Sequence, residues 1–269
     1  MLRLFPKKKI RVTLPENTRV IAVGDIHGQL NRLVKVLALV DRYRTANPVT
    51  NDHLVFLGDY TDRGAGSAEV IELLASRRLK NIDQAHTETF LRGNHEVLVQ
   101  EALTQTGTRG DLWWRNGGLY TVSSYLQYQK IEIPLNASNE DLLKLFRDNY
   151  PKKHADFMSY LQDNVKIGPI VCVHAGLKMD VALEEQSQED MHWIRDPFLH
   201  WKGDQKDFLV VHGHTITPKY RPVILDHRVG IDTGSYKRGG RITAAIFEKN
   251  QVKFLSNGTK KGFEMTPFS

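Results

Sequence analysis

Five short apolar runs recur along the chain: RVIAV (Arg19 to Val23), HLVFL (His53 to Leu57), ETFL (Glu88 to Leu91), PIVCV (Pro169 to Val173) and FLVV (Phe208 to Val211). Each has the length and β-branched content of a buried strand. Between the first two, Leu30, Leu33, Leu37 and Val40 follow the spacing of one helix face, and Val70, Leu73 and Leu74 mark a second helix before ETFL. Strand, helix, strand, helix, strand predicts parallel pairing through right-handed crossovers, an α/β architecture. From His227 onward, glycine breaks separate short alternating runs, which predict antiparallel strands completing or covering a sheet.

Residues 101–168 interrupt this rhythm. Leu142, Leu143, Phe146, Phe157, Tyr160 and Leu161 recur with helical period, and Pro151 suits the opening of a helix, where its missing N–H costs little. The segment reads as a helical insertion over the strand ends, within a single domain spanning 1–269. That length admits one large α/β domain or two small ones, and 41% hydrophobic with 25% charged residues is ordinary for a globular protein. The apolar runs are too short to span a bilayer. The basic opening MLRLFPKKKIRVTLP lacks an apolar segment with a cleavage site, so no secretory signal is expected. Cys172, the single cysteine, cannot form an internal disulfide, which suits a reducing compartment and makes cytoplasm the expected location. Its place inside an apolar run makes it a core residue rather than a nucleophile.

The formal charge of +6 favours anionic partners. The dense basic runs, Lys7 to Lys9 and Lys260 to Lys261, read as solvated termini, so neither nucleic acid nor membrane is an expected partner.

Chemistry enters at the strand ends. The five runs are followed at once by Gly24-Asp25-Ile26-His27-Gly28, Gly58-Asp59-Tyr60-Thr61-Asp62-Arg63-Gly64, Arg92-Gly93-Asn94-His95-Glu96, His174-Ala175-Gly176, and His212-Gly213-His214-Thr215. Ligands of open α/β sheets bind outside the carboxyl ends of the strands, so these groups are expected to converge in one crevice. Any one of these stretches alone reads as a polar turn. Five in order, sharing one chemistry, do not. Asp25, His27, Asp59, Asn94, His174 and His214 form a mixed nitrogen and oxygen donor set suited to Mn, Fe or Zn. There are too many donors for one tetrahedral site, and Asp59, on the central segment, is the candidate bridge between two metals. His212 is expected to point away from the metals, because neighbouring strand residues alternate faces.

The strings GDIHG, GDYTDRG, GNHE, HAG and HGHT resemble those of the metallophosphoesterases, specifically the phosphoprotein phosphatase family, and run from Gly24 to Thr215. WWRNGG, HWIRDPF and IDTGS resemble its shorter bacterial and phage branch of serine/threonine phosphatases. The resemblance implies a calcineurin-like fold, a two-sheet β-sandwich flanked by helices. It also implies a dinuclear site served by two divalent ions, manganese foremost, with iron or zinc as alternatives. Asp25 and His27 would hold the first ion, Asn94, His174 and His214 the second, and Asp59 both. A bridging hydroxide would attack phosphorus directly. His95 would protonate the leaving oxygen, Asp62 would orient His95, and Arg63 and Arg195 would clamp the phosphoryl oxygens. For Arg195, an ion pair with Asp196 is the structural alternative.

Two substrate classes compete within the resemblance, phosphorylated proteins and diadenosine polyphosphates, with a broader phosphodiesterase behind them. Asp62 and Glu96 stand where the diadenosine hydrolases differ, which favours a protein serine/threonine phosphatase. Selectivity is expected from the helical insertion and from loops carrying Trp113, Trp114 and Trp201. Asn116, Arg92 and Tyr236 receive no role from sequence.

Overall fold

All five apolar runs are strands, and the alternation of side chains along them shows why they are apolar throughout. The computed structural model describes residues 8–80, 87–107, 109–204 and 206–258. Its elements in chain order are β1 (Lys8–Lys9), β2 (Thr18–Val23), α1 (Leu30–Ala46), β3 (Asn51–Phe56), α2 (Ser67–Lys80), β4 (Thr87–Phe90), α3 (Asn94–Thr104), α4 (Gly110–Arg115), α5 (Gly118–Tyr128), α6 (Asn139–Asp148), α7 (Lys152–Tyr160), β5 (Asn164–Ile167), β6 (Ile170–Val173), α8 (Gln188–Trp193), β7 (Leu209–His212), β8 (Val223–Ile224), β9 (Arg228–Gly230), β10 (Thr243–Glu248) and β11 (Gln251–Ser256). One sheet has the order β1-β11-β10-β2-β3-β4 and the other β5-β6-β7-β9-β8.

Ile21 and Val23 of β2, Leu54 and Phe56 of β3, and Ala244 and Ile246 of β10 pack on one side with Leu33, Val36 and Val40 of α1 and Ile71 and Leu74 of α2. Their neighbours Val20, Ala22, Val55, Ala245 and Phe247 point the other way, into a core shared with Ile170, Cys172, Leu209 and Val211 of the second sheet. Each strand is thus apolar on both faces because helices cover one and the opposing sheet covers the other. Cys172 sits in this inter-sheet core, and burial pushes its thiol up to about 12, so it is inert as a nucleophile.

Parallel pairing of β2 with β3 and of β3 with β4 follows the crossover expectation. The carboxyl-terminal strands differ in part. β10 and β11 are antiparallel, but β9 runs parallel to β7, because the β7–β8 excursion reverses the chain before β9 re-enters the sheet. The stretch read as helical to Gly168 ends instead in a strand, β5, antiparallel to β6. In α6, Ser138 accepts from the Asp141 N–H while the Asp141 carboxylate accepts from the Ser138 N–H, and Pro151 caps α7. Tyr160 keeps the helical period yet is 39% exposed, with the Arg78 guanidinium stacked 3.7 Å from its ring centre. Of the basic runs, Lys8–Lys9 pair as an edge strand with β11, while Lys7, Lys260 and Lys261 lie outside the described residues. No helix of the described residues is long and apolar enough to cross a membrane.

Away from the strand carboxyl ends, Arg19 donates from Nε and Nη2 to the two oxygens of buried Asp52 at 3.1 and 2.6 Å, and Arg44 donates to the same carboxylate. This ties β2, β3 and α1 together at the end opposite the polar loops. At the polar loops themselves, the side chains that follow the five strands meet.

Candidate active site

The glycines beside the strand ends let the polar groups approach one another. A Cβ on Gly93 would lie 2.2 Å from Asp59 Oδ1, and one on Gly213 would lie 2.0 Å from Asp25 Oδ1. Only hydrogen fits at either place. The residues between are themselves bent: His27, Asp59, Asp62, Arg63 and His214 all have positive φ. For non-glycine residues this costs on the order of 1 kcal/mol each, and such strain concentrates where side chains must be aimed. Glu96 helps hold it. Its buried carboxylate accepts from the N–H groups of Asp59, Tyr60 and Gly93 at 2.7 to 3.0 Å, so Glu96, read with Asp62 as favouring one substrate class, serves the turn and is not among the residues lining the cleft.

Asp59 lies at the centre of the donor set. Donor atoms of His27, Asp59 and His95 form one close group, and those of Asp59, His174 and His214 another. His27 Nδ1 is 3.0 Å from the Thr61 carbonyl and His174 Nδ1 is 2.8 Å from the Leu57 carbonyl. Each contact requires an Nδ1–H, which leaves the Nε2 lone pair free. His27 Nε2 lies 3.6 Å from Asp59 Oδ2, and His174 Nε2 lies 3.2 Å from Asp59 Oδ1. Asn94 Oδ1 is 3.0 Å from His174 Nε2 and 2.8 Å from His214 Nδ1. Asp25 adjoins from the side: Oδ2 accepts the His214 N–H at 3.0 Å, while Oδ1 is buried without a partner.

Burial pushes the carboxyls of Asp25 and Asp59 well above the usual carboxylate range, reinforced by Asp232 beside Asp25 and by Asp25 beside Asp59. Burial also holds His27 and His174 well below the ordinary imidazole value, and His214 at about 3. Crowded carboxylates, neutral imidazoles with free lone pairs, and an orphaned Asp25 oxygen are what divalent cations relieve, and the donor set fits two of them sharing Asp59.

Beside this cluster, His95 Nδ1 lies 2.6 Å from Asp62 Oδ2, and His95 faces a cleft of about 430 Å³. His27, Asp59, Arg63, Asn94, Arg195 and His214 share its wall. Arg63 Nη2 donates to Asn116 Oδ1 at 2.6 Å, and its buried Nε has no partner. Arg195 is exposed and makes no ion pair among the described residues; Asp196 pairs with His200. The Arg195–Asp196 alternative is thereby removed. His212 turns away as expected, accepting from Arg228 Nη1 at 3.0 Å. Arg92, which has no role from sequence, reaches the carbonyls of Met158 and Leu161.

Sequence reasoning missed part of the site. Trp113, expected on a selectivity rim, is 1% exposed, and its indole N–H donates to both oxygens of Asp62 at 3.1 Å. Thr121 Oγ1 donates to Asp62 Oδ1 at 2.6 Å. Trp114 and Trp201 border other hollows, and the aromatic side chains of the cleft are Trp193 and Tyr236. Asp232, buried in the cleft wall, carries a carboxyl that burial raises to about 6. Its signal was present: Asp232 follows β9 by the same two-residue step as Asp25 follows β2.

Comparison with known proteins places this geometry. The family model described as calcineurin-like phosphoesterase matches residues 18–258. The serine/threonine-protein phosphatase PP2A-like PPG1 of Saccharomyces cerevisiae is 39% identical over 104 residues, covering 36% of this chain and 26% of that protein. The chain spans about a quarter of the length of the curated relatives it matches. Among solved structures, a candidate diadenosine tetraphosphatase superposes with a TM-score of 0.59 at 21% identity, covering 93% of this chain and 98% of that one. A cold-active protein-tyrosine phosphatase of a psychrophilic Shewanella superposes with a TM-score of 0.57 at 14% identity, covering 93% and 83%. At these identities the structures share a fold.

Proposed function

This chain belongs to the calcineurin-like phosphoesterase family of hydrolases, and we propose that it is a metal-dependent phosphomonoesterase acting on phosphoserine or phosphothreonine in proteins. One observation carries the reading: Arg63 and Arg195, neither ion-paired among the described residues, face the same cleft as the His95–Asp62 pair. Two cations suit a terminal dianionic phosphoryl group better than the single negative charge of a diester. The local likeness to serine/threonine phosphatases supports a protein substrate.

Asp25, His27, Asp59, Asn94, His174 and His214 would hold two divalent ions, for which we propose manganese. Bound there, the ions supply Lewis-acid stabilisation of phosphoryl charge and a lowered pKa for water. Arg63 and Arg195 bind the phosphoryl oxygens and turn the ester oxygen toward His95. Asn116 fixes the Arg63 fork through Nη2. His95 Nε2 donates the proton to the leaving oxygen, and Asp62 fixes the direction of the ring by engaging Nδ1. Trp113 and Thr121 hold the Asp62 carboxylate in turn, so the acid stands on a rigid base from the helical segment. We assign residues 1–269 to one catalytic domain and place it in the cytoplasm.

The test is a side-by-side assay with Mn²⁺ on phosphoserine peptides, diadenosine tetraphosphate and bis-p-nitrophenyl phosphate, reported as kcat/KM. Highest values on the peptides support the reading; preference for the dinucleotide or the diester overturns it.

A further inference from the structure

Beyond the two clamping arginines, the cleft continues into a cationic loop. Tyr236 lines the cleft, with its ring 4.9 Å from that of His27 and the Arg63 guanidinium 5.5 Å from its centre. Lys237 Nζ lies 4.8 Å from the centre of the same ring. The ring therefore links a phosphoryl clamp to a second cation farther out. Exposed Arg238 follows, and neither Lys237 nor Arg238 has an ion-pair partner among the described residues.

The loop is built to hold these charges in place. Arg32 Nη1 donates to the carbonyls of Ser235 and Gly240, and the Arg241 N–H donates to the Thr233 carbonyl at 3.0 Å. A Cβ on Gly240 would lie 1.8 Å from the Gly234 carbonyl oxygen, so the loop neck closes as far as a backbone can. Between Asp232 and Glu248 the chain carries Lys237, Arg238 and Arg241 and no acid. Tyr220 packs against Gly234 and brings in the turn bearing Lys219 and Arg221. The concentration of charge is felt inside: burial, then Arg221 and Arg32, lower the Arg241 guanidinium below its ordinary value. Like charges gathered in a fixed loop cost stability and gain when an anion docks.

We propose that Lys237 and Arg238 form a second anion subsite beside the phosphoryl pocket, which selects phosphoserine or phosphothreonine segments with acidic side chains next to the phosphorylated residue. This rests on the phosphomonoesterase reading and adds the substrate class. A neutral-flanked peptide fills only the Arg63–Arg195 clamp; an acidic-flanked one also satisfies the loop.

The experiment compares kcat/KM for two phosphoserine peptides that differ only in glutamate or glutamine at the flanking positions, using the full chain and its K237Q/R238Q variant, with p-nitrophenyl phosphate as a small monoester. The expected result is a preference for the acidic peptide of about fivefold to tenfold at low salt, falling as ionic strength rises and shrinking to within about twofold in the variant. Equal kcat/KM on the two peptides, or a preference that survives in the variant, overturns the subsite alone. Cleavage of p-nitrophenyl phosphate with neither peptide cleaved overturns the protein-substrate assignment. Inactivity on all three overturns the phosphomonoesterase reading and this subsite with it.

Discussion

The Trp113 indole N–H donates to both carboxylate oxygens of Asp62, each 3.1 Å away, beneath the contact of Asp62 with His95. A residue of the helical segment thus aims a loop carboxylate at an imidazole on a third element. Trp113→Phe keeps the ring and removes the donor. The expected outcome is a fall in kcat of about tenfold with KM and metal content little changed, whereas His95→Asn loses about 10² to 10⁴ in kcat. Steady-state kinetics with metal analysis checks both. A Trp113→Phe protein with unchanged kcat would remove the orienting role.

Asp59 is the donor common to both close groups. Asp59→Asn is expected to lower the bound-metal stoichiometry at both positions, while loss of His174 acts on one group. Equilibrium dialysis followed by metal analysis distinguishes them. Dialysis of the wild type against a chelator should abolish phosphatase activity, and Mn²⁺ should restore it.

Arg63 is partly buried and braced by Asn116, whereas Arg195 is exposed at the cleft wall. A preorganised guanidinium loses less freedom on binding. Arg63→Ala is therefore expected to lower kcat/KM on phosphopeptides more than Arg195→Ala, by about 10² against about tenfold. The reverse order would mean that the exposed arginine carries the transition-state contact.

Arg19 and Asp52, each 1% exposed, form a bidentate pair at the far end of the sheet. Removing the Asp52 charge leaves the buried Arg19 with only the longer carboxylate contact, to Glu248 at 3.4 Å. Asp52→Asn is expected to destabilise the fold by about 3 kcal/mol, read from the urea midpoint, with the metal content of the folded protein unchanged. The Asp52 carboxyl, which burial raises, is held below its ordinary value by the hydrogen bonds from Arg19 and Arg44.

Glu72 on α2 accepts from His154 Nε2 at 3.1 Å and from Lys153, both on α7. Burial raises its carboxyl, but the Lys153 and His154 hydrogen bonds outweigh this and hold it at about 2, against an ordinary value of 4.5. A carboxyl depressed on folding stabilises the protein above pH 4.5, and that contribution disappears as pH falls toward 2. His154, held by burial below its ordinary 6.5, adds stability above that pH that is lost as pH falls through its folded value. Glu72→Gln should flatten the decline between pH 4.5 and 2 in denaturation curves. Because Glu72 and Lys153 are about a third exposed, the change is small, and identical slopes would show that solvent screens the pair entirely.

How much was legible in the sequence follows from how local each signal is. The apolar runs, the α1 and α2 periodicities and the polar groups just past each strand are set by residues a few positions apart, so the strands, the parallel β2–β3–β4 order and the clustered donors around Asp59 could be read from them. Trp113 was misplaced because an indole in a WWR stretch carries no mark of which side faces a carboxylate far away in the chain. Asp232 and Tyr236 entered the cleft wall only because β9 pairs with β7 and the loop folds back over His27. Pairing between distant segments depends on which faces can be buried against each other, a property of the packed whole. The chain itself therefore determined the chemistry at the strand ends. Tertiary packing decided which groups orient, brace and surround that chemistry, because orientation is imposed by neighbours that no sequence spacing brings together.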